Sequence, residues 1–166
     1  MAPLRGQHAG GSDLKRNHND RGRFAVAYII AGCSRTSCMG YILNALAASQ
    51  VLQYHNSTAD VVFKVRMASH INDTRLPVQQ EEWLLKSGIK LAYLPKVQVD
   101  SFGTATMEKF RVLEMVEYDR VYFLDSDVLP LCNIDYHLEA SYDGRLQPYV
   151  GNQGGMGSPL NAGNFI

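Results

Sequence analysis

A chain of 166 residues, 46% apolar and 19% charged, is long enough to bury one sizeable core and too apolar to be disordered throughout. Its acidic and basic side chains cancel to a net charge of zero, leaving no basic field for nucleic acid or an anionic membrane. No apolar run approaches the ~20 residues of a bilayer span.

The first 23 residues, MAPLRGQHAGGSDLKRNHNDRGR, are polar and carry no apolar core of the kind a signal peptide needs. They read as a disordered leader, with the folded domain over 24–166. FAVAYIIA, Phe24 to Ala31, is an unbroken apolar run bounded by Gly32, the pattern of a strand buried on both faces at the centre of a parallel sheet. Met39, Ile42, Leu43 and Leu46 then fall on one helical stripe, with Ser34 or Thr36 as the expected cap. Asp60 to Met67 reads as a second strand. Val78 to Gly88 reads as a helix stopped by a left-handed glycine, and Ile89 to Leu94 as a third strand. Gly103 to Tyr118 reads as a helix whose buried stripe is Met107, Phe110, Leu113 and Val116. RVYFL, Arg120 to Leu124, is a fourth strand. The stretch up to Ile166 is glycine-rich and loop-like, entering another strand only at Phe165. Ending there, the chain reads as a fragment truncated at its C-terminus.

Strands alternating with helices predict an α/β sheet, mostly parallel, with helices on both faces. Ligands gather at the carboxyl ends of such strands. There the fourth strand meets Asp125 and Asp127. Two bare carboxylates repel unless a cation, a proton or a turn compensates. In an extended backbone their spacing puts both on one face, a site for a hard divalent cation, Mn²⁺ or Mg²⁺. Three cysteines with no C-x-x-C suggest free or buried thiols and a reducing compartment. Asn56-Ser57-Thr58 and Asn72-Asp73-Thr74 nonetheless fit the glycosylation acceptor pattern. A cytoplasmic location is favoured, or the Golgi if the N-terminus is incomplete.

YDRVYFLDSDVLPLCNID, Tyr118 to Asp135, resembles the metal-binding segment of the family 8 glycosyltransferases, the glycogenin-like enzymes. MEKF upstream and LNAGNFI downstream extend the resemblance. It implies a nucleotide-diphosphosugar transferase (GT-A type, Rossmann-like) fold, incomplete at its C-terminus. The implied activity is transfer of a hexose, glucose or galactose, from UDP-glucose or UDP-galactose to a glycan or protein acceptor, with retention. By the same resemblance Asp125 and Asp127 hold Mn²⁺ (or Mg²⁺), and the backbone of Ser126 lies near the ribose. Lys109 meets the diphosphate or the sugar, Ile30 and Ala31 line the uracil pocket through their backbones, and Asn161, Ala162 and Gly163 lie against the donor sugar. No catalytic base is assigned, and a homodimer is left open. The family's third metal ligand, a histidine, is expected beyond Ile166. Asn133 and Asp135 read as a helix cap. Two rival readings are a haloacid-dehalogenase-type phosphatase with Asp125 as nucleophile, and a non-catalytic remnant.

Overall fold

The computed structural model describes residues 23–97, 107–145, 151–152 and 161–166; the leader 1–22 lies outside them. Among these residues the chain forms an α/β sheet of six strands in the order β3-β2-β1-β4-β6-β5. The strands are β1 (Phe24–Cys33), β2 (Asp60–Met67), β3 (Lys90–Tyr93), β4 (Arg120–Leu124), β5 (Gly151–Asn152) and β6 (Asn161–Phe165). β1 to β4 run parallel, while β6 runs antiparallel to β4 and β5. This is the predicted fold class, with β5 and β6 added.

β1 is buried along most of its length because both faces are covered. One face, from Val26, Tyr28 and Ile30, packs with Ile42, Ala45 and Leu52 of α1 (Met39–Tyr54) and Leu84 of α2 (Val78–Lys86). Phe24, at the amino end of that face, packs with Leu138 of α3 (Asp135–Tyr142). The other face, from Ala25, Ala27 and Ile29, packs against Val112 and Met115. Arg23, just before β1, is tied to the start of the neighbouring β4, its backbone N–H donating to the Asp119 carboxylate at 2.7 Å. Among the described residues no helix is long and apolar enough to cross a membrane.

Several local readings are corrected. β1 does not stop at Gly32. Glycine takes φ +77° there, and the register with β2 slips between Ala31 and Cys33, so the strand bulges and continues. Neither Ser34 nor Thr36 caps α1. Cys38 stands at that position without a side-chain cap, while Ser34 and Ser37 bond each other. In α1, Ile42 is buried but Leu43 is 54% exposed. The helix seats itself through Ala45, Ala48 and Ser49, whose small side chains let it approach the sheet. α2 ends as expected. Gly88, at φ +77°, donates to Leu85, and Ile89 donates to Leu84, the paired bonds of a Schellman stop.

The cysteines are not all free. Cys33 and Cys38 form a disulfide with Cα atoms 5.4 Å apart, and Cys132 is free and exposed. The spacing of five was no signal, because only the bulged end of β1 and the turn after it bring the two together. Thiol titration of unreduced native protein is expected to find one reactive group, rising to three after reduction in denaturant. Three at the outset would remove the disulfide.

The predicted helix Gly103–Tyr118 is instead a short 3₁₀ helix, Glu108–Glu114, with Gly103 to Thr106 outside the described residues. Its i→i+3 bonding continues through Met115 and Tyr118. In 3₁₀ geometry residues three apart share a face. Two such rows compete here, and the expected one faces out: Met107, Phe110, Leu113 and Val116 are all exposed. The buried row is Val112, Met115 and Tyr118.

Candidate functional site

The chain leaves β1 towards β2 on one side and returns to β4 on the other, so the strand order reverses between β1 and β4. Ligands of open α/β sheets bind outside the carboxyl ends of strands at such a switch point. β4 pairs with β1 only through Phe24–Ala27 against Arg120–Phe123. Beyond that the two strands part. The backbone of Ile29, Ile30 and Ala31 therefore runs on past the end of β4, alongside Asp125-Ser126-Asp127.

The D-x-D segment is not extended. It forms a turn, with Val128 N–H donating to Asp125 C=O at 2.9 Å, so the period-two strand argument does not apply to it. The turn is held by side chains. Asn44 of α1 donates its amide to the carbonyls of Ser126 (3.1 Å) and Val128 (2.9 Å). The Tyr28 hydroxyl also reaches Val128 C=O, and the Ser126 hydroxyl donates to Ile29 C=O of β1 at 3.4 Å. Sequence reasoning missed Asn44 and Tyr28. An asparagine inside an apolar helix is the one signal that could have flagged the first.

Burial pushes the Asp125 carboxyl above its usual range, and the like charge of Asp127 pushes the same way, while the Lys109 ammonium opposes both. Asp125 is half-buried and Asp127 exposed. Lys109 stands three residues before Val112, at the head of the buried row of the 3₁₀ helix, on the face of the sheet where Asp125 can sense it. It is not merely beside the buried face, as the other choice of row implied.

Asn161, Ala162 and Gly163 open β6, where a turn would be the plainest reading. Asn164 lies opposite Leu124. Because the strands are antiparallel, residues 161–163 run past the end of β4 on the Asp125 side. Thus Ile30, Ala31, Lys109, Asp125, Ser126, Asp127 and the 161–163 backbone are gathered at one edge of the sheet. No group of three or more His, Cys, Asp or Glu side chains able to hold a metal occurs among the described residues. Asp125 and Asp127 are hard oxygen donors, and they fit a cation such as Mn²⁺ or Mg²⁺ that completes its shell with water and phosphate.

The raised Asp125 value carries a stability prediction. A folded-state pKa above the unfolded one gives stability that is full below the unfolded pKa and lost as pH rises through the folded pKa. At neutral pH the metal-free protein therefore bears the cost of an ionised Asp125. Asp125→Asn is expected to melt higher than the parent near pH 7 without divalent cations, with the gain fading towards about pH 3. Paired melts check this; a lower melting temperature for the variant at pH 7 would refute it.

No protein-family model matches the chain. Among curated proteins it is similar to UDP-glucuronate:xylan alpha-glucuronosyltransferase 1 of Arabidopsis thaliana, with 28% identity over 127 residues, 76% of this chain and 18% of the relative. The corresponding enzyme 2 of the same plant is 26% identical over 104 residues, 60% of this chain and 16% of the relative. The chain thus spans less than a fifth of the length of these relatives. Both are, by name, glycosyltransferases that use a UDP-sugar.

Proposed function

We propose that this chain carries the donor-binding part of a metal-dependent family 8 glycosyltransferase, which moves a sugar from its UDP derivative to an acceptor with retention. The observation that carries the reading is the D-x-D turn held by Asn44 and Tyr28 at the β1/β4 switch point, with the Lys109 charge near enough to act on Asp125. The named activity of the relatives supports the same class.

In this reading Asp125 and Asp127 hold Mn²⁺ or Mg²⁺ against the donor diphosphate. When bound, the cation supplies neutralisation of the charge that builds on the departing UDP. Lys109 adds a positive charge on the same side. The β1 backbone at Ile30 and Ala31 receives the uracil, and Asn161–Gly163 line the sugar. Asn44 and Tyr28 keep the turn rigid, so the carboxylates need no reorganisation when the donor arrives.

The donor sugar is glucuronate in the relatives, against the glucose or galactose that the glycogenin-like pattern alone suggests. Calorimetry with UDP, with and without Mn²⁺, tests the reading. Affinity for UDP is expected to rise at least about tenfold, or ~1.4 kcal/mol, when Mn²⁺ is added, and an affinity indifferent to metal would sink it. Competition among UDP-glucuronate, UDP-glucose and UDP-galactose then ranks the sugars.

A further inference from the structure

Arg66 is 1% exposed although it carries a charge. It sits next to last in β2 with Ala31 of β1 as its register partner, so it belongs to the carboxyl edge. Its strand face is the one covered by the 3₁₀ helix. The guanidinium donates from Nη2 to Glu108 Oε2 at 2.6 Å, and from Nη1 to the Pro95 carbonyl. Its Nε is buried without a partner among the described residues. The same Glu108 oxygen accepts from Arg111 Nε at 3.1 Å, and Arg111 Nη1 reaches Glu114 at 2.7 Å. One arginine thus ties together β2, the segment leaving β3 and the start of the 3₁₀ helix. Glu108 is the residue immediately before Lys109.

The arrangement is costly as a source of stability. A buried ion pair is often replaceable by well-packed apolar residues at no loss, and a buried donor left unbonded costs about 1–3 kcal/mol. What an apolar pair cannot supply is direction. A guanidinium bonded at both ends fixes one orientation of its partner. The segment it holds needs such help, because a seven-residue 3₁₀ helix has poor internal hydrogen-bond geometry.

We propose that the Arg66–Glu108 pair is the positioning element for Lys109. It pins the first turn of the 3₁₀ helix to the end of β2, so that Lys109 faces Asp125 before any ligand binds. This rests on the donor-binding reading of that edge. It assigns to Arg66, two strands away from the aspartates, an effect on donor affinity exerted only through Lys109. Fixing the lysine in advance saves the ordering cost that binding would otherwise bear.

The test is a cycle on the full chain. Lys109→Ala is made in the parent and in an Arg66→Met/Glu108→Leu background, and UDP affinity is measured with Mn²⁺ present. In the parent the substitution is expected to weaken binding about tenfold, and in the apolar background by less than about twofold, a coupling of the size contacting or networked residues show. An equal loss in both backgrounds overturns the proposal, since a purely structural pair would leave the Lys109 effect intact. A second measurement needs no ligand: amide hydrogen exchange over Lys109–Met115. The apolar background is expected to accelerate exchange there about tenfold or more while β1 and β2 keep their protection. Unchanged exchange in that segment overturns the positioning role. Failure of the parent to bind UDP at all overturns the donor-binding reading instead, and the exchange result then decides the positioning role alone.

Discussion

Asp127→Asn is expected to reduce Mn²⁺-dependent UDP affinity by about 100-fold. Loss of outer-shell support for a ligand already costs about 10–100-fold in metal affinity, and Asp127, a direct ligand in the proposed reading, stands at the upper end of that range. Here the effect is sharpened by the small number of protein donors. With two carboxylates at the turn, one substitution removes half of the anionic charge offered to the cation. Stability is a clean control, because Asp127 is exposed and such surface changes move folding by within about 0.5 kcal/mol. Calorimetry with Mn²⁺ held constant reads the result. A variant that melts like the parent and binds UDP–Mn²⁺ equally well would show that the turn is not the clamp.

The second large effect lies at the opposite edge of the sheet. Asp135 is buried and accepts three hydrogen bonds: from the Ser57 hydroxyl, from Thr58 N–H at 2.6 Å and from the Thr58 hydroxyl at 2.9 Å. It fastens α3 to the turn between α1 and β2. The helix-cap reading of N-I-D is not met: Ile134 stands at the N-cap position without a side-chain cap, and Asn133, one residue earlier, accepts Asp135 N–H at 2.7 Å. Asp135→Ala strands the Thr58 N–H, so unfolding free energy is expected to fall by about 3 kcal/mol, at the upper end for bonds to a charged group. Urea unfolding measures it as a lower midpoint at unchanged slope. A shift below about 0.5 kcal/mol would mean that solvent replaces these bonds. Metal-dependent UDP affinity should survive in the folded fraction, because the clamped turn is at the other end of β4.

Much of this molecule was legible along the chain. The parallel core of the sheet could be drawn from apolar runs, because a strand covered on both faces must be apolar throughout. β2 and β4 match their predicted bounds, and α2 carries its stop in Gly88. The paired aspartates marked the carboxyl edge where the strand order reverses. Periodicity failed where two rows of apolar residues were offered and only one could face the sheet. Met107, Phe110, Leu113 and Val116 make the more apolar row, yet Val112, Met115 and Tyr118 are inside. A helix of this length has too little internal cohesion to choose, so the fit against Ala25, Ala27 and Ile29 chose for it. That choice put Lys109 in the buried row, near enough for its charge to act on Asp125. The disulfide, the Asn44 clamp on the D-x-D turn and the Arg66–Glu108 pair share one physical origin. Each joins segments whose proximity is set by strand order and bulging, or by which face a helix covers. Sequence by itself determined which segments are buried and where charge collects; only the tertiary structure decided which of those charges meet, because a contact between distant segments depends on packing that no local pattern encodes.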